Sequence, residues 1–552
     1  GDANYNNVIA QIGLAGDSCG TIMNVDNGLD DKFNVTTSWV QHYIPLIGKD
    51  MSSVSRGFKI GMWNPIVAAN IYVDDIRYEQ YVFTNAGYRW TKQLGGTEKD
   101  EGRSVALDGS GNVYFTGYFR STVNFQEDWG GTDSRLSAGE NDIFITKVNS
   151  DGTYGWTKQI GGTGDDTGFA IACDSSGNIY ITGSFEGTVN FAQDWLGNDT
   201  KGSSGNSDIF ITKINANGTY GWTKKMGGTG YDGSYGMALD NSDNIYITGC
   251  YQYSVNFRQD WGGADTKTNA GSDDIFISKV DSDGINYYWT RRMGGSGSDC
   301  GYSLATNSSG DIYVTGCYQN TVNFGQDWST PDIKTNAGSE DIFVSRIGQN
   351  GTSYEWTKRI GGAYSECAYG ITTDKNGHVY VTGSFLGTVD FRSDWGGSDP
   401  KTSIFNSNDI FLIRINADDS YGWTKRIGNS CPYDRGEAVT TDRSNNIYVT
   451  GSFQYTVNFA QDWGGADYKS SNGMWYDAFA MRVNADGTYG STRRFGGTSH
   501  DCGYGIVFSD TGIGYITGFF AVTANFAQDW FDVDYKSSKG LYDIFLMRFE
   551  GL

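Results

Sequence analysis

The sequence predicts an all-β molecule: a seven-bladed β-propeller of four-stranded blades, closed by an N-terminal strand and preceded by a short, partial β-sandwich. Three observations predict it. One tryptophan-bearing segment recurs seven times, an Asp-Trp segment recurs with the same period, and the chain ends on a strand whose partner lies upstream of the first full repeat.

The first segment reads YRWTKQLGG, YGWTKQIGG, YGWTKKMGG, YYWTRRMGG, YEWTKRIGG, YGWTKRIGN and YGSTRRFGG, which places Trp90, Trp156, Trp222, Trp289, Trp356, Trp423 and Ser491 at spacings of 66 to 68. The second carries Trp129, Trp195, Trp261, Trp328, Trp395, Trp463 and Trp530. Within residues 166–228, short β-branched and aromatic runs bounded by Gly, Asn and Asp predict strand A at Gly168–Asp174, B at Asn178–Gly183, C at Asp208–Ile214 and D at Tyr220–Met226. Four strands per repeat make a propeller blade. The terminal DIFLMRF is a seventh strand C with no strand D after it, and Tyr88–Leu94 is a strand D with no blade before it. Pairing the two shuts the ring and removes both free edges. The domains expected are therefore 1–86 and 87–552.

These repeats resemble the bacterial β-propeller repeat family SBBP, whose pattern DxFxxKxxxxGxxxW followed by GGxxxDxGxxxxxDxxGNxYxTG recurs here over residues 88–549. The sequence departs from that pattern by a long segment between strands B and C of every blade. TVNFAQDWLGNDTKGSSGNSD is one example.

Composition agrees with this fold class. With 78 Gly, 5 Pro and 15% aromatics, the chain suits many short strands joined by tight turns. A formal net charge of −23 argues against a nucleic-acid partner, because phosphates would be repelled. No run of 18 apolar residues predicts a membrane span, and no leader follows Gly1, so a processed or truncated product is expected.

The loops joining D to A and B to C emerge on one face of the disc, and the longer loops are where function is expected. There the GGxxxD pattern sets Asp100, Asp166, Asp232, Asp299, Glu366, Asp434 and Asp501 as an acidic ring at the propeller mouth. Either these acids bind calcium or a sugar hydroxyl, or each caps backbone N–H groups of its own glycine turn. The Lys and Arg of strand D, Lys92 to Arg493, either solvate an outer edge or direct contacts with another copy.

Cysteine placement is symmetric in part. Cys250 and Cys317 each follow a strand-B glycine, Cys300 and Cys367 each follow a loop acid, and both separations are 50 residues. Inter-blade disulfides Cys250–Cys300 and Cys317–Cys367 are expected in an oxidising compartment, with Cys300–Cys317 as the rival pairing and free thiols as the alternative. The three histidines, His42, His378 and His500, assemble no zinc site. No nucleophile elbow, phosphate loop or dinucleotide fingerprint occurs.

The first 86 residues read as strands around VIAQIGLAG, GTIMNVD, TTSWVQHYIPL, GFKIGMWN and NIYVDDIRY. Trp39, Pro45, Leu46, Tyr72, Asp74, Asp75 and Ile76 resemble the final strands of jelly-roll carbohydrate-binding modules. That resemblance implies a calcium site using an acid of the Asp74/Asp75 pair. Five strands make a partial jelly roll, whose open side would be covered by the propeller, by preceding sequence or by a strand from a neighbouring molecule. Trp39, Trp63 and Trp475 are the candidates for glycan stacking.

Together these features predict a non-catalytic protein of an extracellular surface, matrix or filament. Its partners would be further copies of itself, a neighbouring surface protein or a polysaccharide; it would require no cofactor, with calcium as the one candidate ion. A glycan-binding protein and a carbohydrate-active enzyme with its site at the propeller mouth are the alternatives.

Overall fold

The computed structural model describes residues 7–14, 40–45, 71–79 and 87–552, apart from 405–406 and 430–432. It divides into two compact units, residues 1–86 and 87–552. In the first, Asn7–Leu14 forms the centre of a three-stranded antiparallel sheet between Val40–Pro45 and Ile71–Glu79. The other strands expected there, with Trp39 and Trp63, lie outside the described residues.

The second unit is a seven-bladed propeller. Blade one is Glu101–Leu107, Val113–Phe119, Asp142–Val148 and Tyr154–Ile160, strands A to D in order, each pairing antiparallel with the next. Five further blades repeat it. Blade seven takes A, B and C from Asp501–Phe508, Ile513–Phe520 and Asp543–Glu550, and its strand D is Tyr88–Leu94, with Thr91 opposite Met547 and Leu94 opposite Ile544. The chain's last strand is thus sealed by one laid down more than four hundred residues earlier.

Core side chains explain why the blades stack. On strands B and C, runs such as Val113-Tyr114-Phe115 and Ile143-Phe144-Ile145 are buried on both faces, because each sheet lies between two others. Each core cluster accordingly draws from two adjacent blades, as Ile143 and Ile145 do with Ile179, Ile181 and Phe185.

The long segment between strands B and C folds into a short hairpin around a 3-10 turn that carries the Asp-Trp pair, and it leans on the preceding blade. Strand D's outer edge would otherwise expose unpaired N–H groups. Instead the Asp of the next blade accepts the main-chain N–H of strand D. Gln93 donates to Asp128, Gln159 to Asp194, Lys225 to Asp260, Arg292 to Asp327, Arg359 to Asp394, Arg426 to Asp462 and Arg494 to Asp529, all at 2.9 to 3.1 Å. The basic side chain one residue earlier donates to the same Asp's carbonyl from Lys92, Lys158, Lys224, Arg291, Lys358 and Lys425. These cations are therefore engaged with the neighbouring blade. The tryptophans pack likewise: Trp129 Nε1 donates to the Gly152 carbonyl, and the Lys92 ammonium sits 5.0 Å above the Trp129 ring.

A second contact runs from hairpin to hairpin around the rim. Arg135 pairs with Asp194, Lys201 with Asp260, Lys267 with Asp327, Lys334 with Asp394, Lys401 with Asp462, Lys469 with Asp529, and Lys536 returns to Asp128, at 2.5 to 3.2 Å. The circuit closes at the same junction as the strands.

Each ion pair is partly exposed and contributes at most about 1 kcal/mol, whereas an orphaned strand-D N–H costs about 1–3 kcal/mol. Asp128→Ala is therefore expected to lower unfolding free energy by about 2 kcal/mol and Lys536→Ala by less than about 1 kcal/mol, measured by urea denaturation. Equal losses would contradict the assignment of the Asp128 carboxylate to the Gln93 N–H.

Candidate functional site

The acids predicted to ring the mouth are not presented there. Asp100, Asp166, Asp232, Asp299, Glu366 and Asp434 are fully buried and Asp501 is 1% exposed. Each of the six Asp accepts two backbone N–H groups, one from the glycine turn and one from the end of strand B, while Glu366 accepts the Gly362 N–H of its glycine turn. Asp100 takes those of Gly96 at 2.7 Å and Arg120 at 2.9 Å, and Asp501 those of Gly497 and Ala521. Blade six does the same through Asn429 and Gln454 on Asp434. The carboxylate pins the two loops together, so calcium and sugar hydroxyls do not reach it.

A second buried acid per blade escaped the sequence reading. Asp142, Asp208, Asp274, Asp341, Asp409, Asp477 and Asp543 head strand C without exposure. Their invariance across seven copies was the available signal. They also explain the first glycine of the GG pair, since a Cβ on Gly161 would stand 2.2 Å from the Asp142 carboxyl carbon. Burial raises many of these acids despite their N–H donors: Asp100, Asp232, Asp299 and Glu366 to about 7, Asp166 and Asp477 to about 8, Asp142 and Asp543 to about 6. No group of three or more His, Cys, Asp or Glu among the described residues is placed to hold a metal ion. Asp74 and Asp75 fall on the strand Ile71–Glu79, but their side chains lie outside the described residues.

What faces the axis is less symmetric. The third residue of strand A in blades one to six, and the fourth in blade seven, lines the central channel; these are Arg103, Phe169, Tyr235, Tyr302, Tyr369, Glu437 and Tyr504. They touch in sequence: Phe169 meets Tyr235 edge-on at 4.9 Å, Tyr235 meets Tyr302 at 5.6 Å, and Tyr302 meets Tyr369 at 5.6 Å. The Arg435 guanidinium lies 4.2 Å over Tyr369 and Arg103 4.4 Å over Tyr504. Each arginine also pairs with an acid of its own strand, Arg103 with Glu101 at 2.7 Å and Arg435 with Glu437 at 3.2 Å. The collar encloses about 180 Å³. Beside it, between blades two and three, a cavity of about 250 Å³ is lined by Asp165, Glu186, Asp273, Tyr231 and Cys250.

The six described cysteines are free thiols. Cys250 Sγ lies 4.0 Å from the Tyr235 hydroxyl and Cys367 Sγ 4.0 Å from the Ala368 carbonyl. Burial pushes Cys300 and Cys502 well above the ordinary thiol range, and the neighbouring Cys367 thiol together with burial does the same to Cys317. His500 packs against Trp475 with ring centroids 4.3 Å apart and planes tilted by 36°, and is held below the usual imidazole value by desolvation, while Asp501 beside it is occupied with backbone N–H groups.

Outside the axis, the symmetry breaks most on blades six and seven. Large exposed apolar side chains gather there: Tyr455, Tyr468, Met474 and Trp475 on blade six, and Val522, Phe531, Val533, Tyr535 and Leu541 on blade seven. Three of them occupy left-handed backbone, Tyr455 at φ 56° on blade six and two residues of blade seven. Val522 has φ 61° where blades two and five have Gly187 and Gly387, and Phe531 has φ 58° where Gly130, Gly262, Gly396 and Gly464 stand in other blades. A β-branched residue in this region is strained by about 1–2 kcal/mol, and neither side chain is buried to offset it, Val522 being 56% and Phe531 72% exposed.

Comparison with a family model finds the same repeat. The SBBP beta-propeller repeat matches residues 89–118, 155–184, 355–384 and 422–452. The chain is 23% identical over 478 residues to "Uncharacterized WD repeat-containing protein L264" of Acanthamoeba polyphaga mimivirus, covering 74% of this chain and 34% of that protein. It is 25% identical over 226 residues to "Regulatory protein FlaEY" of Caulobacter vibrioides, covering 40% and 22%. The alignments thus span 34% or less of these curated relatives' own lengths. Among solved structures, Sqt1 from Chaetomium thermophilum covers 85% of this chain and 100% of its own at 8% identity and a TM-score of 0.40.

The buried acids give a test by pH. Their folded pKa values stand above the unfolded value of 3.8 (4.5 for Glu366), so the native state holds protons that the unfolded chain has lost, and stability from this source falls as pH rises. The urea midpoint is expected to fall from pH 5 to pH 8, and Asp232→Asn to flatten that slope. A midpoint that climbs over this interval would contradict the raised values.

Proposed function

We propose that this SBBP-repeat propeller is a non-catalytic interaction scaffold of an extracellular surface, matrix or filament, and that it meets its protein partner through the apolar rim of blades six and seven. The supporting observation is the left-handed Val522 and Phe531. Glycine serves these two turns without strain in other blades; Leu196, Tyr253 and Tyr455 replace it at one turn each in blades two, three and six, and blade seven alone among the described residues sets a large exposed apolar residue at both, giving up stability for a surface. The polar groups repeated in every blade have internal partners. The acids bracket loops, and the strand-D cations hold the next blade. That leaves the departures from symmetry to carry recognition. Another copy of the chain is the first partner to test, because one apolar patch meeting a different surface of a second molecule propagates a filament when the contact does not close.

A glycan reading is supported by one observation, the 44% exposed Trp475 packed against His500, an aromatic platform of the kind that sugar faces pack against. Retention on a polysaccharide gel that is lost in Trp475→Ala would favour it. The described residues include no helix long and apolar enough to cross a membrane.

Light scattering of the full chain over a concentration series tests the scaffold. The apparent mass is expected to rise above 60.4 kDa, and the double variant Val522→Gly/Phe531→Gly to stay at that mass while its unfolding free energy rises by about 1–2 kcal/mol. Unchanged association in the double variant would remove the rim from the account.

A further inference from the structure

We propose that Cys250 with Cys300, and Cys317 with Cys367, are the two halves of two inter-blade disulfides, closed by exchange with a small-molecule disulfide and stapling blades three, four and five on the face that carries the long loops. The geometry starts from two equivalent positions. Strand A of each blade packs against strand B of the preceding blade, an added Cβ on Gly301 standing 2.4 Å from Thr248 Oγ1 and one on Gly503 2.3 Å from Thr450 Oγ1, so the residue before that position on A lies near the residue after strand B's glycine. The A positions hold Glu101, Thr167, Gly233, Cys300, Cys367, Arg435 and Cys502, and the B positions Tyr118, Ser184, Cys250, Cys317, Ser384, Ser452 and Phe519.

Two pairings are open to four thiols in such a row. Within a blade, Cys300 faces Cys317 across the ladder, but Cys250 then faces Gly233 and Cys367 faces Ser384. Between blades, every strand-B cysteine stands beside a strand-A cysteine: Gly301, next to Cys300, is packed against Thr248, two residues before Cys250, where an added Cβ would meet Thr248 Oγ1 at 2.4 Å, and Ala368, next to Cys367, packs with Ile342 and Val344 of the blade that carries Cys317. The contact between neighbouring sheets therefore leaves no thiol of the row unmatched. Cys502 holds the equivalent place in blade seven, with Ser452 as the matching strand-B residue of blade six; Gly503 beside it packs against Thr450.

Entry to the row is through Cys250, which lines the cavity between blades two and three and is only partly buried. Its thiolate attacks one sulfur of the small disulfide and releases one small thiol. The Cys300 thiolate then displaces the second, so the reagent's S–S bond is replaced by the protein's and the two protons leave with the two small thiols. Cys317 and Cys367 are both buried, so their closure requires local opening and is slower. Each link closes a loop of about fifty residues and constrains the unfolded chain.

The test incubates the native full chain with oxidised glutathione, blocks remaining thiols, and maps peptides by mass spectrometry without reduction. The expected products are peptides joined at 250–300 and at 317–367, with a Tm roughly 4–8 °C above that of the dithiothreitol-treated protein. Cys250→Ser, which keeps the row's shape, should lose the first link and retain the second. A 300–317 link in the native protein, or four cysteines that stay open to alkylation after prolonged incubation, would overturn the proposal. Neither outcome bears on the rim of blades six and seven.

Discussion

The structure depends on covering the outer edge of each blade. A four-stranded sheet standing alone exposes the N–H groups of its strand D, and in this ring one of them is taken up by the next blade's Asp at each of the seven junctions. The same hairpin brings a tryptophan onto the preceding strand's basic side chain and a cation onto the following hairpin's Asp. Because the coupling runs always from one blade to its successor, it is complete only when the last blade meets the first. Lys536 reaching Asp128 and Tyr88–Leu94 pairing with Asp543–Glu550 are that meeting.

Much of this was legible in the sequence because seven copies repeat the same signals. The count of blades, the four strands and the upstream closing strand all follow from period-two runs and Gly-Asn-Asp turns, and the strand Tyr88–Leu94 has the bounds expected of it. The hairpin between strands B and C was visible only as an insertion. Its value lies in contacts between blades some sixty residues apart in sequence, and no local pattern announces which Asp meets which lysine. The strand-D cations were read as edge solvation or as contacts to another copy. Tertiary proximity to the next blade's carbonyl settles them inside the molecule.

The candidate site was less legible, for a physical reason. A residue repeated in every blade attracts attention, yet repetition marks what the blade needs: the acids predicted to line the mouth are buried brackets, and their burial follows from the close approach of two loops. Asymmetry marks what the blade does not need. Arg103 and Glu437 in an otherwise aromatic collar, and Val522 and Phe531 in glycine's conformation, gain meaning only after superposing seven copies with their backbone angles. The cysteine row was found in sequence because its symmetry is partial, occurring in three consecutive blades and not in seven.

Native-state hydrogen exchange tests the closed ring most directly. If Tyr88–Leu94 is an integral strand, its amides open only with the ring, and their free energies of exchange equal those of Asp543–Glu550 and of the inner strands of blades three and four. Amides of 88–94 that exchange early, while 543–550 stays protected, would contradict closure by the upstream strand.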